Sequence, residues 1–334
     1  MYRKPPESQT GDSSRLNRMG LSIHSIKLLF EAKEAGVSFA RTLTLGKQSF
    51  SCHTLFLEEL IHKYGYSTDR ATLGNTTRFT TADFFRMLGA QEVLALDNSQ
   101  YEGAELVHDM NAPIPDELRS RFDAVLDGGT LEHIFNFPVA VKNCMDMVRL
   151  NGHLLLITPI NNYCGHGFYQ FSPELLFRTL CRENGYSVEQ AVAWEECGNS
   201  NFFIVSDPEV LKRRVELVNG LPILMFVQAK KIAEVERLTV PQQSDYARLW
   251  NDGLNQEQNA DSDKLTIVGA LKDRLIKACF RAFPHWTNGM LGTLSERKIK
   301  KTSLRQGPGF VDAGKLSSRD PTDRLAMRDA PPQG

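Results

Sequence analysis

Short apolar segments alternate with amphipathic helical segments through most of this chain, and no other feature of the sequence restricts the fold as strongly. The apolar segments have the length of single buried strands, and the helical segments place apolar residues on one face. Such alternation is typical of βαβ units, whose sheet is mostly parallel, so the sequence predicts an α/β fold. The predicted strands are 41–46, 92–97, 104–108, 122–127, 152–158, 187–194 and 222–229. The predicted helices are 21–34, 53–64, 80–88, 137–149 and 173–184.

The two ends of the chain differ in composition from this alternating part. Pro, Ser, Gly and charged residues dominate both ends, and such segments bury too little apolar surface to fold alone. Residues 264–283 predict a basic amphipathic helix, which either packs on the domain, as we favour, or makes peripheral contact with an anionic membrane. The predicted segments are a disordered N-terminus (1–19), the α/β domain (20–235) with an insertion at 65–79, a polar connector (236–263), the basic helix (264–283) and a mostly disordered tail (284–334).

The charge, the cysteines and the hydropathy exclude several classes of protein. The net charge of −1 over 334 residues gives no electrostatic footprint for nucleic acid, so no nucleic-acid partner is expected. The six cysteines form no CxxC pair, and no short His motif has metal-ligand spacing, so we predict reduced thiols and no metal site. No apolar run approaches a membrane span, and the N-terminus lacks the apolar core of a signal peptide. We therefore expect a cytoplasmic protein.

Polar residues follow the predicted strands at the edge where parallel α/β sheets bind ligands. Asp97 ends the second strand, and its two carboxylate oxygens could accept hydrogen bonds from both hydroxyls of a ribose. Asp is also common in caps and turns, which is the alternative. Asp109 follows the third strand, and Met110 and Asn111 beside it are suited to an adenine ring. An Asx-turn at Asp109 accounts for that segment at least as well.

The stretch FDAVLDGGTLEHIFN (122–136) is the most informative segment. It predicts a strand, then a Gly-Gly turn at which the backbone can approach a ligand closely. The helical start that follows would direct Glu132 and His133 toward the cleft. The alternative is a tight turn followed by a packed core histidine.

The loop after the fifth predicted strand, NNYCGHGFYQFSPELL (161–176), combines polar side chains with aromatic residues and two glycines. A loop that faces a substrate needs those residue types. We expect His166 or Gln170 to point at the ligand. We expect the aromatic side chains to anchor the loop on the core, namely those of Phe168, Tyr169 and Phe171.

The segment LGKQSF (45–50), after the first predicted strand, limits the choice of cofactor. A dinucleotide needs a glycine-rich turn whose backbone N–H groups hold the pyrophosphate, and this segment has a single glycine. Its composition counts against NAD and FAD. It also disfavours a nucleotide-sugar dehydrogenase or epimerase, for which no Tyr-x-x-x-Lys pair follows the fourth or fifth strand. S-adenosyl-L-methionine, an adenosine cofactor without phosphate, has less need of such a turn.

The sequence resembles the class I S-adenosylmethionine-dependent methyltransferases. The resemblance covers residues 38–230 and rests on EVLALD, HDMNAPIP, FDAVLDGGTLEHI and GHLLLITPINN. It implies a Rossmann-like, doubly wound, mostly parallel seven-stranded sheet with an antiparallel final strand. It also implies S-adenosyl-L-methionine as the cofactor. The cofactor-binding positions that we assign with it are Gly46, Lys47, Gln48, Asp97, Asn98, Asp109, Met110, Asp127 and Gly128.

The resemblance also distributes the parts of the cofactor over these positions. It places the ribose at Asp97, the adenine at Asp109 and Met110, and the sulfonium region at Asp127 and Gly128.

The first loop departs from the family's D/E-x-G-x-G-x-G pattern. Gly46 would be the single glycine of close approach, and Lys47 or Gln48 would hold the methionine end. The fifty or so positions between Gly46 and Asp97 exceed one helix, which is why 65–79 is interpreted as an insertion.

The function that the resemblance implies is methyl transfer to a small-molecule or glycan acceptor. For a hydroxyl acceptor the candidate general bases are His133 and His166. The glycan hypothesis comes from the GHGFYQFSPEL loop, which resembles methyltransferase-like proteins encoded with bacterial surface-polysaccharide genes. The alternative is a catalytically inactive, methyltransferase-like interaction domain. The shortened first loop favours that alternative, whereas Asp97 and the polar loop 161–170 oppose it.

Overall fold

One mixed sheet organises the part of the protein that a computed structural model describes, namely residues 20–52, 54–67, 79–196, 200–256 and 310–314. Its nine strands among these residues run in the order β3-β2-β1-β4-β5-β8-β6-β7-β9. Their bounds are β1 Arg41–Leu45, β2 Glu92–Asp97, β3 Leu106–Val107, β4 Phe122–Asp127, β5 Val148–Asn161, β6 Tyr186–Glu195, β7 Phe202–Val205, β8 Ile223–Lys231 and β9 Phe310–Gly314.

The strand directions confirm the predicted fold class. Five neighbouring strands are parallel to one another, in the order β3, β2, β1, β4 and β5. Strand β8 is antiparallel to both β5 and β6, so that β6 runs parallel to β5. Seven strands therefore form the predicted Rossmann-like sheet, in which the last strand along the chain is the antiparallel one.

Two further strands correct the prediction of a seven-stranded sheet. Strand β7 is antiparallel to β6, and β9 pairs antiparallel with β7 beyond it. The four residues of β7 are too short to show a period in the sequence. Strand β9 lies in the predicted tail 284–334, where the local composition predicts disorder; pairing with β7 supplies the hydrogen bonds that its own segment lacks.

Side chains cap the start of several helices. Ser22 accepts a hydrogen bond from the backbone N–H of Ser25 at 3.3 Å, and Thr80 and Asp83 form a reciprocal capping box. Ser172 caps the helix that starts with Pro173. The helices are α1 Ile23–Glu34, α2 Thr54–Lys63, α3 Thr81–Met87, α4 Phe137–Met147, α5 Pro173–Thr179, α6 Pro208–Leu211 and α7 Ser244–Gln256.

Two of the helices differ from the sequence prediction. Helix α5 ends at Thr179 instead of continuing to residue 184, and a 3₁₀ turn over Arg182–Asn184 follows. Gly185 closes that turn with a φ of 78°, which a glycine adopts without strain. Helix α7 occupies the middle of the segment 236–263 that was predicted to be a polar connector. The polar composition of the segment outweighed its short apolar stripe, in which Tyr246, Leu249 and Trp250 recur at helical spacing.

The sheet separates two hydrophobic clusters, since successive strand residues point to opposite faces. On one face the cluster includes Leu43, Val125 and Leu154, with α4 against them. On the other face the strand residues Ala124 and Leu126 belong to a cluster that contains apolar residues of α1, α2 and α3. Both faces of the central strands are thus covered, and the strand ends are left to bind a ligand.

Several predicted segments lie wholly or mostly outside the described residues: the N-terminus 1–19, the basic helix 264–283, and residues 68–78 of the predicted insertion. Within the described part of the chain, no helix has the length and apolar character needed to cross a membrane.

Candidate active site

The strand order reverses direction at β1, which places a topological switch point at its carboxyl end. Strand β2 lies on one side of β1 and β4 on the other, with Leu45 in register with Leu96 and with Asp127. Open α/β sheets bind their ligands in the crevice beside such a point. The candidate site is therefore the space around Gly46, the first residue after β1.

Gly46 joins the two sides of this crevice. Its backbone N–H donates to the carbonyl of Leu96 at 2.8 Å, and its φ of 67° lies in the left-handed region that favours glycine. A Cβ at this position would lie 3.4 Å from Thr130 Oγ1 and 3.9 Å from Asp97 Oδ2. Gly46 is consequently the point of close approach that the sequence predicts, with the carboxylate of Asp97 beside it.

Asp97 and Asn98 form the β2 side of the crevice. One carboxylate oxygen of Asp97 accepts the backbone N–H of Asn98 at 2.6 Å. The side chain of Asp97 is half-buried, and Asn98 is exposed. Asp97 thus keeps acceptor capacity at the surface of the crevice, where a ribose hydroxyl is predicted.

Lys47 is directed to the loop after β2. Its ammonium donates to the carbonyl of Gly103 at 2.9 Å and lies 3.9 Å from Glu105 Oε1. The hypothesis that Lys47 holds the methionine end of a cofactor therefore gains no support from the structure, because the ammonium is already engaged by this loop.

Gln48 folds back across the ends of β1 and β4. Its amide nitrogen donates to the carbonyl of Leu45 at 2.6 Å. A Cβ on Gly128 would lie only 2.3 Å from Gln48 Oε1, so residue 128 has to be a glycine while Gln48 keeps this position. The buried Oε1 has no hydrogen-bond partner among the described residues. The Gln48 amide thus presents an unsatisfied acceptor at the predicted methionine end of the site.

Asp127 organises the turn that follows β4. The side chain is fully buried, and its Oδ1 accepts the backbone N–H groups of Thr130 at 2.8 Å and Leu131 at 3.4 Å. Burial raises the pKa of Asp127 to about 7, against the opposing effect of these hydrogen bonds. Its Oδ2 has no partner among the described residues. The carboxylate that was assigned to the sulfonium region therefore also shapes the turn.

Asp109 and Met110 differ from the predicted adenine site. Asp109 Oδ1 accepts both the backbone N–H of Asn111 at 2.9 Å and its side-chain amide at 2.8 Å, which is the Asx-turn alternative. Met110 is 5% exposed and belongs to the hydrophobic cluster under α4. Since the thioether is in the core, it is not presented at the surface for an adenine to pack on.

On the β4 and β5 side, the loop after β5 folds over the turn that contains Glu132. The backbone N–H groups of Phe168 and Tyr169 donate to the carbonyl of Glu132 at 2.7 and 3.2 Å. Gly167 has a φ of 72°, and a Cβ there would lie 2.7 Å from the same carbonyl oxygen. This contact brings His166 to His133, with ring centroids 4.7 Å apart and the planes inclined by 73°. Both predicted histidines therefore belong to one cluster.

Glu132 is the residue of this cluster that was not selected from the sequence as a site residue. Its side chain is fully buried, and neither carboxylate oxygen accepts a hydrogen bond from the described residues. The Nε2 atom of His166 lies 3.5 Å from Glu132 Oε1. Burial and the charge of Asp127 raise the pKa of Glu132 to about 8. Its position just after β4 and next to His133 was the feature of the sequence that could have marked Glu132 as a site residue.

His133 is exposed, yet the packing around its ring and the neighbouring His166 lower its pKa. The histidine is therefore neutral at physiological pH and can accept a proton.

The rest of the loop 161–176 divides into anchors and exposed groups. Tyr169 and Phe171 pack with Phe137, whose ring lies 4.6 Å from that of Phe171, so these two aromatic residues anchor the loop as predicted. Phe168 does not, because it is 67% exposed and contacts the exposed Phe135. Gln170 accepts the backbone N–H of Tyr163 at 2.7 Å and stabilises the loop instead of pointing at a ligand.

Comparisons with known proteins return no family profile and no characterised protein sequence that matches the chain. Solved structures match at low identity. The 1,6-didemethyltoxoflavin-N1-methyltransferase of Burkholderia thailandensis is 14% identical over 66% of this chain and 82% of that chain, with a TM-score of 0.35. The branched-chain polyamine synthase of Thermus thermophilus is also 14% identical, over 67% and 60%, with a TM-score of 0.35. The citrinin polyketide synthase CMeT domain is 13% identical, over 64% and 52%, with a TM-score of 0.33.

These likenesses are too distant to assign an activity, and the fold is established by the strand order. The order of the five parallel strands along the sheet reverses at β1, and the antiparallel β8 lies between β5 and β6. The chain has the Rossmann-like fold that its resemblance to the class I S-adenosylmethionine-dependent methyltransferases implies.

Proposed function

We propose that the protein binds S-adenosyl-L-methionine at the carboxyl ends of β1, β2 and β4 and transfers its methyl group to a small-molecule or glycan acceptor. The observation that carries this proposal is the position of Gly46. Gly46 lies at the topological switch point and has a left-handed backbone conformation. A Cβ added to it would lie 3.9 Å from Asp97 Oδ2. A nucleoside can approach the backbone there and meet an acidic acceptor.

The polar groups around Gly46 fit this cofactor better than a dinucleotide. Asp97 is half-buried and suits a ribose, and the unsatisfied Gln48 Oε1 suits the ammonium of the methionine end. A buried acceptor without a donor is costly, by about 1–3 kcal/mol, and a bound ammonium would remove that cost. The first loop has no glycine-rich cradle for a pyrophosphate, which this cofactor does not need.

The proposed acceptor side is the cluster at the ends of β4 and β5. The cofactor would supply a methyl group on a good leaving group, so the chain has to orient the acceptor, exclude water and remove a proton. His133 is exposed and has a lowered pKa, which keeps it neutral and able to take a proton from an acceptor hydroxyl. His166 lies against it and belongs to the loop that covers the turn.

The exposed ring pair Phe135 and Phe168 suggests where an acceptor binds. The two rings lie 5.9 Å apart in an edge-to-face contact, and both side chains are mostly exposed. Tyr169 ties the two segments together by donating to the carbonyl of Phe135 at 2.6 Å. Aromatic walls with a few polar groups are typical of small-molecule sites, and they also suit the apolar faces of a sugar ring.

The proposal is tested by calorimetric titration with S-adenosylmethionine and S-adenosylhomocysteine. In Asp97→Asn we expect binding to weaken by about 10-fold or more, since hydrogen bonds to a charged group contribute about 1.5–3 kcal/mol. Asp109→Asn is the matched control, because Asp109 is exposed and bonds only within its own turn. Equal affinities in the wild type and Asp97→Asn would contradict the assignment of the cofactor ribose to Asp97.

The second candidate function is that of an inactive, methyltransferase-like interaction domain. The position of Gln48 favours it, because the amide fills the space over Gly128. No binding of either compound to the wild type, with binding gained in Gln48→Ala, would mean that this glutamine closes a remaining pocket. Binding to the wild type would instead show that Gln48 moves or contributes its acceptor.

A further inference from the structure

Three side chains with metal-binding atoms meet beside the proposed acceptor site. A carboxylate oxygen of Glu132 and one ring nitrogen each of His133 and His166 all lie within 4.8 Å of one another. Glu132 and His133 are neighbours on the turn Leu131–His133, and His166 comes from the loop after β5. His166 lies more than thirty positions from Glu132 and His133 in the chain, so the three residues form no motif with metal-ligand spacing.

The Glu132 carboxylate is buried with little to compensate the loss of its hydration. Its side chain is fully buried, and both of its oxygens are without a hydrogen-bond donor among the described residues. The ring nitrogen Nε2 of His166 is also buried without a hydrogen-bond partner, although it lies 3.5 Å from Glu132 Oε1. Buried carboxylates in proteins are paired, hydrogen-bonded or bound to a metal. The Glu132 carboxylate has no hydrogen-bond donor among the described residues, and its contact with His166 is a single one at 3.5 Å. The imidazoles of His133 and His166 are both close enough to share a metal ion with it.

The backbone holds these ligands in place. Two N–H groups of the loop, those of Phe168 and Tyr169, donate to the carbonyl of Glu132. The N–H of His166 donates to the carbonyl of Tyr163 at 2.9 Å, and the Tyr163 ring packs edge-on against His166 at 5.8 Å. A preorganised cluster needs only small side-chain rotations to bring three atoms within coordination distance of one ion.

We propose that Glu132, His133 and His166 bind one divalent transition-metal ion of the zinc type. Two imidazoles and one carboxylate form a donor set that zinc and its neighbours in the first transition row prefer, whereas calcium and magnesium prefer oxygen ligands. Three protein ligands leave open positions for a water molecule or an acceptor oxygen. In the metal-bound protein the histidines would be ligands, so His133 would not take the proton of the acceptor hydroxyl. The ion would instead lower the pKa of that hydroxyl.

The test uses the full chain without an affinity tag, treated with a chelator and then titrated with Co²⁺ or Zn²⁺ in the absence of any cofactor. We expect about one ion per chain, visible d–d absorption from Co²⁺, a higher melting temperature with Zn²⁺, and no competition by Mg²⁺. In Glu132→Gln and in His166→Ala, affinity should fall by about 100-fold or more, since even outer-shell partners contribute 10–100-fold.

The controls keep the proposal falsifiable. Glu132→Gln preserves the shape of the side chain and removes its charge, so the metal-free variant should melt no lower than the wild type. The chain has eight histidines, so His62→Ala, in an exposed position on α2, controls for binding elsewhere. Unchanged metal affinity in Glu132→Gln and His166→Ala, or no metal bound by the wild type, would overturn the proposal.

The metal titration is independent of the proposed function. Binding of S-adenosylhomocysteine to chelator-treated protein without any metal binding would leave the methyltransferase proposal intact and refute the metal site. Metal binding by a protein that does not bind S-adenosylhomocysteine would support the metal site and count against the methyltransferase proposal.

Discussion

Strand β4 carries a buried acid near each end, and the two acids differ in how far their oxygens are hydrogen-bonded. At the amino end, Asp123 accepts from Arg149 Nε at 2.6 Å, and from both the backbone and the guanidinium of Arg41. At the carboxyl end, Asp127 keeps one oxygen without a partner among the described residues, and Glu132 keeps two. Asp123 is thus fully paired, whereas Asp127 and Glu132 retain oxygens that could accept from a ligand. This asymmetry supports the proposed position of the site without reference to any relative.

The largest expected effect concerns the two aspartates of β4. Burial alone would raise the pKa of Asp123, but Arg149 and Arg41 outweigh it and lower that pKa. Its contribution to stability is therefore present above the unfolded-state pKa, about 4, and is lost as the pH falls through the lower folded-state value. Asp123→Asn should lower the free energy of unfolding at pH 7 by about 3 kcal/mol, and by progressively less as the pH falls below about 4.

Asp127→Asn is the matched variant at the other end of the strand. The raised pKa, about 7, means that the wild type loses stability as the pH rises from the unfolded-state value through about 7. Asp127→Asn should lack that loss and be at least as stable as the wild type at pH 8. Denaturant unfolding at several pH values measures both variants. Parallel pH curves for the two would contradict the contrast between the strand ends.

A smaller effect on stability is expected from placing a side-chain atom in the contact between the loop after β5 and the backbone of Glu132. Gly167→Ala places a Cβ 2.7 Å from the Glu132 carbonyl in a residue with a φ of 72°. We expect a loss of about 1–3 kcal/mol in unfolding free energy, together with weaker Co²⁺ binding, because the loop can no longer hold His166 against the turn. Gly165→Ala is the control, since a Cβ there meets no atom within 4 Å. Equal effects of the two substitutions would show that the loop does not position the cluster.

The smallest expected effect tests whether Gln48 and Gly128 are coupled. In Gly128→Ala the new Cβ would displace the far end of the Gln48 side chain, at a cost of about 1–2 kcal/mol. In the Gln48→Ala background the same substitution should cost much less, so the double-mutant cycle should show a coupling of about 1 kcal/mol. Thermal unfolding of the four proteins gives the cycle. Strict additivity would mean that Gln48 does not occupy the space over Gly128.

The elements that could be predicted from the sequence are those whose pattern is local. Strand β4 was predicted with both ends correct, and β2 likewise, because each is an apolar run between polar residues. Helix α3 was predicted to within one residue at each end, since the Thr80 capping box and Gly89 mark its limits. Helix α7 was missed because the polar composition of its segment outweighed its short apolar stripe. Strand β9 was missed because its pairing with β7 lies outside its own segment.

The candidate site divides in the same way. The sequence alone determined that Asp97, Gly46, Gly128 and His133 follow strand ends, because chain order and strand direction place them on one edge of a parallel sheet. Only the tertiary structure decided which groups the candidate side chains contact. Lys47 bonds to the loop after β2, and Met110 lies in the core.

The meeting of His166 with Glu132, across thirty-three intervening positions, also required the tertiary structure. The reason is physical: strand and turn propensities act over a few residues, whereas burial and unpaired hydrogen-bonding groups depend on segments that are distant in the chain.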